Sequence, residues 1–166
     1  DASPGERLAG LNAYRAELDR IEAGTPQTPL FVALAEVIAT YALPIQLFRD
    51  LLDAFAQDVV KTRYADYPEL LDYCRRSANP VGRLVLHLFG RTEPEHLAQS
   101  DCICTALQLI NFWQDVAVDW KKDRIYIPQN DFPQFKVSEE DIAQSRWSAN
   151  WAALMDFEID RTSALM

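Results

Sequence analysis

The sequence predicts an all-α protein, because apolar residues recur at helical spacing and because prolines, glycines and capping residues divide the chain into helix-sized segments. Leu8, Leu11 and Leu18 show this spacing in the first such segment. No segment alternates apolar and polar residues over the length of a strand. With 166 residues, 49% of them hydrophobic, the chain is long enough to bury one sizeable core.

The boundary residues give the helices in order. Ser3 caps the first helix and Gly24 ends it, since serine accepts from the first amides and glycine suits a helix end. Pro44 separates two helices and Pro80 predicts a kink, because proline lacks the amide hydrogen that a helix interior needs. The predicted helices cover residues 4–24, 30–43, 44–61, 66–90 and about 92–122, then a short segment after Ser138 and the segment from Trp147. Residues 124–137 predict a loop.

The composition limits the classes of function. A formal charge of −9 and a pI near 4.6 argue against nucleic acid as a partner, because phosphate binding needs clustered lysine and arginine. The cysteines are odd in number, and residues two apart point to different sides of a helix, which argues against a disulfide or a metal site. We therefore expect buried thiols at Cys74, Cys102 and Cys104. The most apolar run, residues 103–118, contains four polar side chains and predicts no membrane span.

Four polar residues share one narrow face of the longest predicted helix. At 100° per residue they fall within a sector of about 80°, whereas apolar side chains occupy most of the remaining circumference. We call Gln108, Asn111, Asp115 and Asp119 the polar stripe. A carboxylate in an apolar setting needs compensation, and a hard divalent cation supplies it through oxygen ligands. The stripe therefore predicts a magnesium site, and Arg124 beyond it predicts a second contact for a diphosphate.

Two motifs carry a resemblance to a known family. The polar stripe followed by Arg124-Ile125-Tyr126 resembles the second aspartate-rich motif of squalene and phytoene synthases. Residues 73–82, Tyr-Cys-Arg-Arg-Ser-Ala-Asn-Pro-Val-Gly, resemble the Tyr-Cys motif of that family. The resemblance covers essentially all 166 residues. Arg75 and Gln114 depart from the aromatic residue and the arginine usual in phytoene-type members, and favour the hydroxysqualene synthase branch of bacterial hopanoid pathways.

The resemblance implies an isoprenoid-synthase-type helical bundle, of which residues 1–166 form the central part of a single domain. The first aspartate-rich motif and the C-terminal helices of the family have no counterpart in this sequence. The resemblance places Asp1 immediately downstream of that first motif. Asp50, Asp53 and Asp58 belong to the helix that follows the motif in the family, and we expect surface or packing roles for them.

The resemblance also implies roles for individual residues. The expected magnesium ligands are Asn111, Asp115 and Asp119. The expected catalytic residues, which contact the diphosphate or the reacting carbons, are Tyr73, Arg124 and Tyr126. The expected substrate-binding residues are Gln108 and three small residues that leave room for a prenyl chain, Ser77, Ala78 and Gly82. The expected reaction is the Mg²⁺-dependent ionisation of farnesyl or presqualene diphosphate towards hydroxysqualene or squalene-type products.

Further expectations concern the location of the protein in the cell and the alternative functions. The resemblance implies a cytoplasmic enzyme that contacts the inner face of the membrane through its apolar product, and a parent protein that is active where residues 1–166 alone are not. A phytoene-type synthase and a catalytically inactive helical interaction module are the alternatives. A di-metal carboxylate bundle fits poorly, since the one Glu-x-x-His sequence, Glu93 to His96, contains Pro94 and has no second copy.

Overall fold

A computed structural model of the protein describes residues 2–166, and every regular element in that range is a helix. In chain order the helices are α1 Pro4–Glu22, α2 Pro29–Tyr41, α3 Ile45–Val60, α4 Tyr67–Ser77, α5 Asn79–Leu88, α6 Pro94–Gln114, α7 Val116–Trp120, α8 Asp131–Gln134, α9 Glu139–Ala143 and α10 Ala149–Ser163. The predicted all-α fold class is thus confirmed. Asp1, which the resemblance places next to the first motif, lies outside the described residues.

The helix boundaries follow the local chemistry of the sequence. Ser3 forms a capping box with Glu6, so that the first amides of α1 are satisfied by side chains. Ser148 caps α10 by accepting from the Trp151 amide at 3.0 Å. The kink expected at Asn79-Pro80 is an interruption one residue earlier, at Ala78, between α4 and α5. Proline then lies in the first turn of α5, the position where its missing amide hydrogen costs least.

The longest predicted helix is shorter than expected. The sequence predicts one element that reaches about residue 122, whereas α6 ends at Gln114 and the short α7 follows. Asp115 separates them with φ −97° and ψ 11°, outside the helical region. The carboxylate predicted to lie within a helix therefore lies at a helix junction.

The described residues form two compact units, and the first comprises the chain up to Val60 together with Arg75–Asp101. Its core is built by Leu18, Phe31 and Leu52. Two acidic residues of α3 make side-chain contacts on the surface of this unit: Asp53 accepts from Arg15 at 2.7 Å and Asp50 accepts from Gln46 at 2.9 Å.

The second unit comprises Lys61–Cys74 and Cys102–Met166. The segment after Arg124, predicted as a loop, is tied to the residues before α4 by main-chain bonds: the Ile125 amide donates to Thr62 O at 2.9 Å, and the Gln129 amide donates to Tyr64 O at 2.8 Å. This pairing places buried side chains of both segments in one core. Within residues 2–166, no helix combines the length and the apolar character that crossing a membrane requires.

Of the three cysteines predicted to be buried, only Cys74 is fully buried. Cys74 is buried, as expected, and burial raises the pKa of its thiol to about 12. Cys102, however, is exposed, and Cys104 is half-buried. The expectation of three buried thiols is therefore wrong for Cys102, because α6 turns that position towards the solvent.

Candidate functional site

The polar stripe lies wholly in the second unit, at the end of α6 and along α7. The Asp115 amide donates to Asn111 O at 2.9 Å, and the Asp119 amide donates to Asp115 O at 2.8 Å. These two bonds span four residues each, so the stripe keeps the spacing of successive helical turns through the junction at Asp115. The side chains that the sequence places on one face therefore stay in register despite the break.

The burial of the stripe differs from the sequence argument. Asn111 and Asp115 are exposed, Gln108 is half-buried, and the Asp119 side chain is only 14% exposed. Apolar residues of the same helices, Leu107 and Val118, are exposed as well. The premise that all four polar groups lie in an apolar core is thus wrong. Only Asp119 is largely withdrawn from water, and its ion pair with Lys122 is long, at 3.3 Å.

The donor set of the stripe suits a magnesium ion. Two carboxylates and one amide oxygen, on successive turns, are hard oxygen ligands of the kind that Mg²⁺ prefers. Their exposure leaves space for the water and phosphate ligands that Mg²⁺ keeps. Among residues 2–166, no three His, Cys, Asp or Glu side chains converge as a complete metal site. The stripe therefore supplies oxygen donors that fit part of the coordination shell of Mg²⁺.

A turn held by Arg63 positions the segment that follows α7. Arg63 donates to Asp123 O at 2.7 Å and to Glu139 Oε1 at 2.8 Å, and its guanidinium carbon lies 5.8 Å from the centre of the Trp120 ring. The ion pair with Glu139 is the main reason that the pKa of Arg63 is raised. Asp123 adopts a left-handed backbone, with φ 56°, which reverses the chain.

The consequence of this turn is the position of Arg124. Its amide donates to Asp119 O at 2.9 Å. The main chain of Arg124, which is predicted to contact the diphosphate, is thus bonded to the main chain of Asp119, which is predicted to bind the metal. Arg63 is not among the residues predicted from the sequence. An arginine between two predicted helices carries no signal of its own until its partners, which lie 60 and 76 residues further along the chain, are known.

An aromatic cluster brings together two predicted catalytic residues. Tyr126 stacks on Phe112 with ring centres 3.7 Å apart and an interplanar angle of 6°. Tyr73 lies 6.1 Å from each of these rings, and Tyr64 lies 5.4 Å from Tyr73 and 5.6 Å from Tyr126. Tyr73 is buried among these rings. The cluster joins α4, α6 and the segment after α7 within the second unit.

Tyr64 and Phe112 are not among the site residues predicted from the sequence. Phe112 follows Asn111 directly, and the phase of α6 turns it inward, so its burial was available from helical periodicity. Tyr64 lies outside any helix, and its position depends on the main-chain bond from Gln129. A pairing between irregular segments has no periodic signature in a sequence, which is why it was missed.

The three small residues of the Tyr-Cys motif lie in the first unit, apart from the stripe in sequence. Ala78 is buried and Gly82, one turn further on, is half-buried. The Ser77 hydroxyl is buried and makes no hydrogen bond within residues 2–166. These residues surround the interruption between α4 and α5, where small side chains leave the most space beside the main chain.

The Glu-x-x-His sequence is an ordinary surface pair. His96 Nδ1 lies 2.8 Å from Glu93 Oε2, and both side chains are about half exposed. Two bonded neighbours on one turn account for this pair without a metal. The described part of the chain thus offers no observation in favour of a di-metal carboxylate bundle.

Comparison with known proteins agrees with these motifs. The family model described as squalene/phytoene synthase matches residues 1–166. The 15-cis-phytoene synthase of Synechococcus elongatus is 33% identical over 166 residues, which are 93% of this chain and 54% of that protein. The 15-cis-phytoene synthase of Synechocystis is 34% identical over 163 residues, 91% of this chain and 48% of that protein. The chain thus spans about half the length of these relatives.

Solved structures give the same answer for the fold. The squalene synthase HpnC from Alicyclobacillus acidocaldarius superposes with a TM-score of 0.90 at 43% identity, over 95% of this chain and 60% of that one. A dehydrosqualene synthase superposes with a TM-score of 0.83 at 24% identity, over 95% of this chain and 56% of that one, which supports the fold alone. The chain belongs to the squalene/phytoene synthase family.

Proposed function

We propose that the protein is a head-to-head prenyl synthase, which ionises farnesyl or presqualene diphosphate with the help of Mg²⁺ and forms hydroxysqualene or squalene-type C30 products. Family membership and the higher identity to a squalene synthase, 43% against 33% to a phytoene synthase, support this choice. The proposal concerns the whole protein, of which this chain contains the second aspartate-rich motif and the Tyr-Cys motif.

One observation carries the proposal: a row of residues that winds along the outside of α6 and α7 changes from apolar to acidic along its length. At four-residue steps, each turning about 40° around the helix, the row contains Ile103, Leu107, Asn111, Asp115 and Asp119, and its first two members are 53% and 56% exposed. About 18 Å of helix separates the first residue of the row from the fourth. An apolar track that ends in metal ligands matches a molecule with a prenyl tail and a diphosphate head.

The residues of the acidic end bind and orient the diphosphate. Asn111, Asp115 and Asp119 would hold Mg²⁺, which when bound neutralises charge on the departing diphosphate. Arg124, whose main chain is bonded to that of Asp119, would add a guanidinium to the diphosphate contacts. Gln108 lies one turn before Asn111 and contacts the substrate between head and tail.

The aromatic cluster serves the reacting carbons. Tyr73 and Tyr126 bring two phenols and two ring faces to one place, with ring centres 6.1 Å apart. Ring faces attract a carbocation through their quadrupole, and a phenol hydroxyl can move a proton. Tyr126 also steadies the diphosphate from the segment that Arg124 begins. Ser77, Ala78 and Gly82 leave space for a prenyl chain beside α5, and apolar walls limit the water that reaches the cation.

The decisive experiment compares full-length variants with farnesyl or presqualene diphosphate and Mg²⁺. We expect Asp115→Asn and Asp119→Asn each to lower kcat/KM by at least about 100-fold and to raise the Mg²⁺ concentration needed, because each removes a charged ligand. Asp160→Asn is the matched control, since this aspartate is exposed on α10 in the same unit. Wild-type-like turnover by Asp115→Asn would contradict the proposed role of the stripe.

Product analysis separates the alternatives. Mass spectrometry distinguishes hydroxysqualene, squalene, presqualene diphosphate and the C40 product of a phytoene-type synthase, which the phytoene synthase relatives keep as the second candidate. An inactive interaction module would release no diphosphate from any of these substrates. Residues 1–166 alone are expected to release none either, because the stripe is one side of a metal site. Flotation with vesicles tests the proposed peripheral contact with a membrane through the apolar product.

A further inference from the structure

A buried charge cluster joins α10 to α8 in the second unit. The Glu158 side chain is 0% exposed, and its Oε2 lies 2.5 Å from Arg161 Nη2. The same Nη2 donates to Asp131 Oδ2 at 2.8 Å. The Arg161 and Asp131 side chains are 16% and 7% exposed. One guanidinium is therefore shared by two carboxylates in a place that water hardly reaches.

The surroundings of the cluster are apolar. The Arg161 guanidinium carbon lies 4.0 Å from the centre of the Tyr67 ring and 4.9 Å from that of Phe157. Within residues 2–166, neither oxygen of Glu158 makes an aligned hydrogen bond, in spite of the close contact with Arg161, and the Tyr67 hydroxyl makes none. Apart from the shared Arg161 guanidinium, little around the Glu158 carboxylate thus replaces the hydration that it loses on folding.

Charge counting then indicates the state of Glu158. Two ionised carboxylates and one guanidinium leave one uncompensated negative charge in a medium of low polarity, whereas a proton on one carboxyl makes the cluster neutral. Burial is the main cause that raises the pKa of Glu158, to about 7; Asp131 acts in the same direction and Arg161 opposes both. Burial also raises the pKa of Tyr67, so this neighbour stays neutral.

We propose that Glu158 is a proton-binding site of the folded protein, and that the bound proton stabilises the docking of α10 on α8 and α6. The link to α8 is the ion pair between Arg161 and Asp131. The link to α6 runs through Thr162. Its hydroxyl donates to the main-chain oxygen of Glu158 at 2.7 Å and accepts from Trp113 Nε1 at 2.9 Å. This inference is independent of the proposed prenyl chemistry.

The sign of the pH effect follows from the raised pKa. An unfolded glutamate titrates near 4.5, so between about pH 4.5 and pH 7 the folded state binds more protons than the unfolded state. The contribution of Glu158 to stability is therefore present at low pH and is lost as the pH rises through 7. A rise from 4.5 to about 7 corresponds to a ~300-fold change in the folding equilibrium constant.

Urea unfolding of the full-length protein between about pH 5 and pH 8 tests the proposal. We compare the wild type with Glu158→Gln, a neutral side chain of the same shape, and with Glu140→Gln, which alters an exposed glutamate of α9. The ratio of the wild-type folding constant to that of Glu158→Gln should fall roughly 70-fold from pH 5 to pH 8. The same ratio for Glu140→Gln should stay nearly constant. A Glu158→Gln ratio that is constant, or that rises with pH, would overturn the proposal.

A second measurement keeps the proposal testable if Glu158→Gln does not fold. Infrared spectroscopy of the wild type should show the carbonyl stretch of a protonated carboxyl, which disappears with a midpoint near pH 7. Asp131→Asn should move that midpoint to lower pH, because it removes the second negative charge beside Arg161. No such band near neutral pH in the wild type, or a midpoint that Asp131→Asn leaves unchanged, would show that Glu158 does not hold this proton.

Discussion

Thr162→Val is expected to destabilise the protein by removing one buried hydroxyl. Thr162 is 2% exposed and accepts from the Trp113 indole at 2.9 Å, while the indole side chain is itself buried. Valine has nearly the same shape, so packing is preserved, but the buried indole N–H loses its acceptor. A buried donor left without a partner costs about 1–3 kcal/mol. We expect the free energy of unfolding to fall by this amount.

A double-mutant cycle isolates that hydrogen bond from packing changes. Trp113→Phe removes the donor, and the double variant removes both partners, which costs less than the two single losses together. Urea unfolding of the full-length proteins, followed by circular dichroism because one variant lacks a tryptophan, measures all four stabilities. Thr162→Ser keeps the hydroxyl and should lose only about 1 kcal/mol, for one methyl group. If the two single effects add within about 0.5 kcal/mol, the bond does not couple α6 to α10.

Three further predictions concern packing, backbone strain and thiol chemistry. Leu109→Ala should lower the free energy of unfolding by about 2–5 kcal/mol, while Leu107→Ala stays within ~0.5 kcal/mol, because their side chains are 0% and 56% exposed on one helix. Ala42→Gly should raise the free energy of unfolding by ~1 kcal/mol, since this residue ends α2 in a left-handed conformation with φ 50°. An unchanged free energy of unfolding in urea would contradict the strain at Ala42. A thiol reagent should modify Cys102 in the folded protein and Cys74 only after unfolding, because burial keeps the Cys74 thiol protonated; equal rates by mass spectrometry would count against it.

The sequence predicted the fold well where local chemistry decides it. The capping serines of α1 and α9 and the prolines at the starts of α2 and α6 mark helix boundaries without any knowledge of tertiary contacts. The prediction failed at Asp115, where no proline or glycine signals a break. There α6 ends inside a run of apolar residues, and the Arg63 turn that follows depends on partners distant in sequence.

The site could be predicted in part for a related reason. Helical spacing placed Asn111, Asp115 and Asp119 on one face, and the main-chain bonds preserve that spacing through the junction. Their burial could not be predicted, because periodicity shows which residues share a face and not what covers it. The same limit applies to Tyr64, which meets Tyr126 only because two irregular segments pair.

The helical spacing of buried residues in α10 indicates that Glu158 is buried, although glutamate is usually an exposed residue. In α10 it lies four residues after Leu154 and four before Thr162, and all three are buried, so the row itself indicated an inward carboxylate. Arg161, one turn on, made the pair resemble the exposed ion pairs that are common on helix surfaces. The two readings differ in one property, the sign of the pH effect on stability. An exposed pair with arginine loses stability as the pH falls, whereas the buried carboxyl of this structure loses it as the pH rises.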